Sequence, residues 1–359
     1  NGGPMNRGGI ESFMMNYFRR IDRERVQIDF VTHGYEKGAY DEEIEQRGGK
    51  IYHVPIKSKH PLAYKKELEK IFSNGKYSVV HSHADAMSCW ILKIAKKIGI
   101  PVRIAHSHNT DHLTPNKLKY SVNEIARRNI TKYATHCFAC SEAAGKWLFG
   151  SHDFKVIPNA IDLGRFQYNK AVGEEIREKL GIPKDTVVLG HVGRFDTQKN
   201  HEFLIRVFKR ILQQNKKIAL MFIGEGWNQP QIEAMVKREK LEENIIFMGA
   251  RDDVNRLYNS MDCFVLPSLF EGFPVVLLEA QGNGLNCVVS DTITREVDLT
   301  HTVSFLPLDE KVWAGALSEM KAIPRYDTTK AIQDAGYDIR LAAKVLEDLY
   351  VELGRQEDK

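Results

Sequence analysis

The stretch Cys263–Asp291, CFVLPSLFEGFPVVLLEAQGNGLNCVVSD, decides the fold class of this 359-residue chain. It opens on a short apolar run, Cys263 to Pro267, with the length and composition of a buried strand. A loop of Ser268, Leu269, Phe270, Glu271, Gly272 and Phe273 follows. Pro274 suits the first position of a helix, where its missing N–H costs nothing. That helix is apolar except for Glu279 and ends near Gly282 to Gly284; a second apolar strand, Asn286 to Ser290, comes next. Strand, helix and strand in this order form one unit of a parallel sheet, with two carboxylates near the helix entrance.

Glu271 sits in the loop and Glu279 eight residues later in the helix. Open α/β sheets bind ligands outside the carboxyl ends of their strands, where this loop lies. A helix N-terminus attracts phosphate, whereas a carboxylate repels it. The two Glu therefore suit another part of the ligand, because an ionised carboxylate only accepts hydrogen bonds and takes two hydroxyls at once. A nucleotide-sugar has that layout, with phosphate in the middle and polyhydroxyl groups at both ends. The plain alternative is a surface Glu and an unrelated helix Glu. EGFPVVLLEA, however, resembles the Glu-x7-Glu signature of retaining GT-B glycosyltransferases of family 4. By that resemblance Glu271 contacts the transferred sugar and Glu279 the ribose.

The length suits about two domains. No apolar run approaches the roughly 18 residues of a membrane span, and no signal peptide is recognisable. The five cysteines (Cys89, Cys137, Cys140, Cys263, Cys287) are scattered in apolar runs, which suits a reducing cytoplasm. Cys137-x-x-Cys140 has no second pair to complete a zinc site and reads as buried strand residues. The net charge of +4 is unevenly spread: residues 1–166 carry 26 Lys+Arg against 17 Asp+Glu, a balance of +9, and the remainder is at −5. A basic first half implies an anionic partner. Nucleic-acid motifs of the usual kinds are missing from the sequence, so an anionic membrane surface is the expected partner.

At the start, Gly2-Gly3 and Gly8-Gly9 flank Arg7, and a helical pattern begins near Ile10. A glycine-rich loop opening a helix ordinarily follows a strand, so a first strand upstream of residue 1 is expected. Such a loop brings backbone N–H groups close to an anion or sugar. Gly8, Gly9, Ile10 and Glu11 also resemble the family's GGxE loop. Strands are expected at Val26–Thr32, Ile51–Pro55, Val79–Ser82, Val102–His106, Thr135–Ala139 and Phe154–Ile157, with helices such as Ala86–Ile98 and Lys117–Lys132 between them. Two histidine clusters end strands, His81-Ser82-His83 and His106-Ser107-His108-Asn109, and no nearby Cys or Glu completes a zinc ligand set. The second cluster resembles the family's His-Asp or His-Asn strand end. His106 and His108 compete for that match, and Asn109 favours His108. VIPNAID (156–162) resembles the family's inter-domain IPNGVD sequence, with Ala160 in place of Gly.

A second alternating series begins at Thr186–Val192 and closes on Gly193-Arg194-Phe195-Asp196-Thr197-Gln198-Lys199-Asn200 ahead of a helix, His201–Gln214. This resembles the family's GR-x5-KN loop, which makes Arg194 and Lys199 the diphosphate ligands. Arg offers a planar fork for two phosphate oxygens and Lys a compact point charge. Ala219–Ile223 ends at Gly224-Glu225-Gly226, a tight turn that a ligand can approach. Ile245–Met248 leads to Gly249-Ala250-Arg251-Asp252, where the family borders the nucleobase and Arg251 is the implied base contact. Helices over Lys311–Met320 and Ile339–Leu353 end the chain.

Five motifs occur in the family's order. The reading is an α/β GT-B enzyme with two Rossmann-like parallel-sheet domains facing a central cleft. They are an N-terminal acceptor-binding domain over residues 1–160 and a nucleotide-sugar domain over 161–335; residues 336–359 form a helix packing back on the first domain. Arg194, Lys199 and the helix N-terminus over Phe273, Pro274 and Val275 stabilise the departing nucleoside diphosphate, with Gly8, Gly9, Gly193, Gly224 and Gly272 lining the donor site. No Asp-x-Asp motif sits in a suitable loop, so neither a metal nor a cofactor is expected. UDP is the expected nucleotide, and a glycolipid or saccharide the acceptor in capsule or exopolysaccharide assembly. A cytoplasmic location, peripheral on the inner membrane face, follows. Two other classes stay open: a nucleotide-sugar 2-epimerase of the same fold, and a dinucleotide-dependent oxidoreductase. The second would need a fuller Gly-x-Gly-x-x-Gly fingerprint than Gly224-Glu225-Gly226 provides.

Overall fold

The computed structural model describes residues 2–112, 114, 116–214, 217–320 and 324–355. The chain divides into two compact units, one made of Asn1–Ala160 with Tyr337–Lys359 and the other of Ile161–Gly336.

The second unit is built on a six-stranded parallel sheet. Its strands are β7 (Val187–Val192), β8 (Ile218–Ile223), β9 (Ile245–Phe247), β10 (Cys263–Leu266), β11 (Asn286–Ser290) and β12 (Val303–Leu306), in the order β12-β11-β10-β7-β8-β9. Strands buried on both faces read as continuous apolar runs, as β8 (IALMFI) does with all six residues buried. The helix His201–Leu212 returns the chain from β7 to β8 and buries Phe203, Leu204, Val207, Phe208 and Ile211, one face at helical spacing. Those side chains share a core with Leu189, Phe222, Val265 and Trp313. From β7 the order runs outward through β8 and β9 on one side, and through β10, β11 and β12 on the other. The strand order thus reverses between β7 and β10.

The helix after β10 spans Val275–Gly282, with Pro274 as its N-cap in an extended conformation, one residue outside the position expected from the sequence. Pro fits there for the expected reason, since the first N–H groups of a helix have no intrahelical acceptor. The helix stops at Asn283, and Gly284 follows at φ +71, where a Cβ would stand 2.6 Å from the Tyr326 carbonyl oxygen.

The first unit holds β1 (Phe30–His33), β2 (Ile51–Val54), β3 (Val79–Ser82), β4 (Val102–Ser107), β5 (His136–Ala139) and β6 (Lys155–Val156). These form two parallel sheets, β1-β2 and β3-β4-β5-β6. Residues of β1 and of β3 both line a groove of about 780 Å³. The strand expected from Val26 pairs only from Phe30, because its partner β2 begins at Ile51 and the register starts at Phe30↔Ile51. Ahead of it, Asp29 accepts from the Lys50 N–H at 3.0 Å and the Tyr77 hydroxyl at 2.7 Å.

The terminal helix, Ile339–Arg355, belongs to this unit: Ile339, Ala342, Ala343, Leu346 and Leu353 share one core with Phe13, Met15, Phe18 and Ile104. Within the boundary sequence, Asn16 Nδ2 donates to the Ala160 carbonyl at 3.1 Å and the Tyr17 hydroxyl to that of Pro158 at 2.7 Å. Ala160 keeps a negative φ, so the glycine usual in the family is not required by the backbone here.

Candidate functional site

All six strands of the second unit are parallel, so the loops leaving their carboxyl ends share one edge of the sheet. Two of these loops meet at the β7/β10 reversal, the place where open sheets form a ligand crevice. Gly193–Asn200 follows β7 and Pro267–Pro274 follows β10. Lys199 Nζ lies 2.6 Å from Glu271 Oε1, with the two side chains only 13% and 8% exposed. Gln198 Nε2 donates to the Phe270 carbonyl at 2.9 Å and to Glu271 Oε2 at 3.3 Å. Leu269 N–H donates to the Gln198 carbonyl at 2.9 Å, and Asn200 Nδ2 to that of Pro267 at 3.2 Å. The structure thus brings together the lysine and the glutamate that the sequence holds 72 residues apart, and adds Gln198 as the group that fixes the carboxylate's second oxygen. Sequence reading missed Gln198, although its place between Gly193 and Lys199 was the available signal.

Arg194 projects from the same loop, two-thirds exposed and 3.5 Å from Asp196. Gly193 packs against the Lys199 side chain and against His191, whose Nδ1 donates to the Val265 carbonyl at 2.9 Å. Gly224 occupies φ +138, and a Cβ there would stand 2.1 Å from the Gly193 carbonyl oxygen. What approaches Gly224 is therefore the neighbouring loop of the protein. Arg251, expected at a nucleobase, forms a two-pronged pair with Asp253 at 2.7 and 2.8 Å on the exposed edge after β9.

Glu279 lies one helical stretch beyond Glu271, past Gly272, Phe273, Pro274 and Val275; Phe273 and Val275 are buried. Its Oε2 accepts from the Tyr258 hydroxyl at 3.0 Å. Burial pushes the Glu279 carboxyl up to about 7, opposed by the Tyr258 hydrogen bond and the Arg165 charge. The side chain nonetheless keeps part of its surface open to solvent. Glu279 is thus a carboxyl able to switch protonation near neutrality.

In the first unit the two histidine clusters merge into one stack. His81 and His106 rings are 5.1 Å apart and 9° from parallel, and His106 and His108 are 4.2 Å apart at 18°. His81 Nε2 faces His106 Nδ1 at 3.0 Å, His81 Nδ1 faces the Tyr350 hydroxyl at 2.6 Å, and His83 Nδ1 faces His108 Nε2 at 2.9 Å. Phe13, from the helix Gly9–Phe18 behind the glycine loop, sits over His83, His106 and His108 with ring centroids 5.0–5.6 Å away. Burial holds all four histidines well below their usual range, His81 and His108 at about 3, so the stack is neutral.

Nitrogens of His81, His83 and His106 lie within 4.8 Å of one another and could hold a metal ion, a grouping that the separate clusters did not reveal in sequence. Two of these nitrogens, however, already face each other at hydrogen-bond distance between nearly parallel rings. Asp85, also missed by sequence reading, anchors the end of β4: its carboxylate accepts from the His108 N–H and from Asn109 Nδ2, both at 2.7 Å. Gly8 is the extended N-cap of the first helix, the Glu11 carboxylate lies against it, and Gly9 borders open space.

A model for glycosyl transferases group 1 matches residues 172–302, and one for Glycosyltransferase Family 4 matches residues 7–165. The chain is 36% identical over 360 residues to EpsF of Bacillus subtilis strain 168, whose name places it among glycosyltransferases, covering 96% of this chain and 94% of that protein. It is 25% identical to CapH of Staphylococcus aureus, a capsular polysaccharide biosynthesis glycosyltransferase, covering 97% of this chain and 96% of that one. The crystal structure of HepE from Anabaena in complex with UDP and glucose superposes with a TM-score of 0.72 at 19% identity, over 98% of this chain and 95% of that one. This chain is a member of glycosyltransferase family 4, with the GT-B fold of two Rossmann-like domains.

Proposed function

We propose that this glycosyltransferase moves a hexose-type sugar from a nucleoside-diphosphate sugar, with UDP as the nucleotide, to a lipid-linked or saccharide acceptor in bacterial polysaccharide assembly. Transfer retains the anomeric configuration and needs no divalent metal. The observation that carries this reading is the Lys199–Glu271 pair at the strand-order reversal of the second unit. A cation for the diphosphate and a carboxylate for sugar hydroxyls stand side by side there, at the entrance of the helix Val275–Gly282.

Leaving-group stabilisation dominates the chemistry. As the bond between the anomeric carbon and the phosphate oxygen breaks, negative charge grows on the diphosphate, where Lys199, Arg194 and the helix N-terminus supply opposite charge. Glu271 holds the hexose and Glu279 the ribose. The acceptor oxygen attacks the face that the diphosphate leaves, and its proton passes to the departing oxygen. UDP agrees with the ligand of the HepE crystal structure, and polysaccharide assembly with the name of CapH.

The first unit takes the acceptor. Its helix Lys117–Asn129 exposes Leu118, Val122 and Ile125, spaced along one face, beside Lys117, Lys119 and Arg128. No helix among the described residues is long and apolar enough to cross a membrane. An apolar stripe with basic flanks is suited to lie on an anionic membrane surface that presents a lipid-linked acceptor. Vesicle sedimentation checks this: retention on vesicles with anionic lipid and not on neutral ones is expected, and equal behaviour on both removes the membrane from the reading.

Thermal-shift titrations with UDP, GDP, ADP, NAD and UDP-hexoses, with and without EDTA, test the donor site. Ligand at about 100 times its dissociation constant adds roughly 2.7 kcal/mol, which is readily seen. Selective stabilisation by UDP or a UDP-sugar that survives EDTA and vanishes in Lys199→Ala is expected. A response to NAD alone overturns the reading, conversion of a UDP-sugar without acceptor makes the protein an epimerase, and an inverted product anomer by NMR refutes retention.

A further inference from the structure

Tyr258 is completely buried behind the helix Val275–Gly282, and its single hydroxyl proton faces two acceptors, the Val276 carbonyl at 3.1 Å and Glu279 Oε2 at 3.0 Å. A phenol donates once. The Val276 carbonyl already belongs to the ladder of the helix Val275–Gly282, so the phenol proton suits the Glu279 oxygen and favours the ionised carboxyl. Few charges reach this pair: Arg165 faces Glu279 from the short helix Leu163–Phe166, the Cys287 thiol of β11 lies behind Tyr258, and Arg325 donates to the Tyr258 carbonyl at 3.1 Å. Tyr258 is held in place by Phe166 and Phe264, with ring centroids 6.1 and 6.0 Å away.

We infer that Tyr258 is a positioning residue for donor binding: its hydroxyl fixes Oε2 of Glu279, leaves Oε1 for the ribose, and sets the pH above which the site is ready for the nucleotide. The inference rests on the proposed role of Glu279 as the ribose ligand. Its protonation near neutrality agrees with burial raising that carboxyl to about 7. Ribose hydroxyls donate to the ionised form, so donor affinity rises with pH until Glu279 is fully ionised in the free protein. The Tyr258 hydrogen bond favours the ionised carboxyl, so its loss moves the transition to higher pH.

Calorimetric titration of the full chain with UDP-glucose from pH 6 to 8.5 tests this; a phosphate diester has no group of its own titrating in that range. Affinity of the unaltered protein is expected to rise up to about tenfold per pH unit below the midpoint and level off above it. Titrations at pH 7 in two buffers of different ionisation enthalpy should show release of a fraction of one proton. Tyr258→Phe should weaken binding at pH 7, move the midpoint upward and recover affinity at pH 8.5. Glu279→Gln should bind weakly with no pH dependence. A Tyr258→Phe midpoint equal to that of the unaltered protein, or no proton release in either buffer, overturns the role of Tyr258. Glu279→Gln that binds like the unaltered protein, or no binding of UDP-glucose at all, overturns the ribose reading itself.

Discussion

Lys199 and Glu271 are nearly buried, so each answers for the other's charge. Removing one partner of such a pair leaves an uncompensated charge, which typically costs about 3–5 kcal/mol. Lys199→Ala should therefore lower the melting temperature as well as turnover, the latter about 100-fold or more if the lysine meets the leaving diphosphate. Arg194, two-thirds exposed beside Asp196, makes the contrast. An exposed pair contributes about 0–1 kcal/mol, so Arg194→Ala should melt like the unaltered protein while losing UDP affinity. Thermal melts and UDP titrations of both variants check this; a Lys199→Ala protein with unchanged melting and turnover would remove the pair from the site. Much of this was legible in the sequence, because Gly193, Arg194, Lys199, Glu271 and Glu279 sit in short motifs with fixed spacing. The partners of those residues were not. Gln198, Tyr258, Asp85 and Tyr350 reach their partners through space, and no periodicity links Tyr258 to Glu279 or Tyr350 to His81.

Most strands were legible as apolar runs, most clearly β8 and β10 with every residue buried; the start of β1 moved to Phe30, where pairing with β2 begins, and β12, partly exposed along its length, was not expected. Turns were less legible. The glycines after β8 looked open to a ligand, yet at Gly224 the close neighbour is the Gly193 carbonyl, a contact made only once β7 and β8 are side by side. Gly224→Ala combines a φ of +138 with a 2.1 Å clash against backbone. Strain and overpacking of about 1–3 kcal/mol each are expected, measured by denaturant unfolding.

The helix Lys117–Asn129 offers a titration test. The Arg127 guanidinium first, then Arg128 and His112, hold the Glu124 carboxyl well below its ordinary 4.5. A depressed carboxyl takes up its proton in the unfolded chain first, so its contribution is present above that ordinary value and is lost as pH falls below it. The His112 ring lies 5.1 Å from the Trp147 ring, so Trp147 fluorescence is expected to report acid loosening of this corner. In Glu124→Gln the change below pH 4.5 should be smaller, from a less stable start.

At the scale of the whole molecule the two units differ in how the chain supplies them. Ile161–Gly336 is continuous, whereas the first unit needs Tyr337–Lys359 from the far end of the sequence. That segment contributes Ile339, Leu346 and Leu353 to the first unit's core. It also contributes Glu347, which is 3% exposed, accepts from the Asp22 N–H at 2.8 Å and pairs with Lys344 and Arg25. Burying each large aliphatic side chain contributes about 1.5–3 kcal/mol, so the helix supplies a large part of the about 5–15 kcal/mol that holds a domain folded. It also ends the histidine stack through the Tyr350 hydroxyl. A chain stopped at Gly336 should accordingly keep a cooperative melting transition from the second unit and bind UDP with nearly full affinity. Its first unit should lose cooperative melting, and its sugar transfer should be abolished. Calorimetry of the truncated and full chains, with and without UDP, reads all three. UDP binding lost together with the helix would mean that the nucleotide is not held by the second unit alone, and would move the donor site off the Lys199–Glu271 edge.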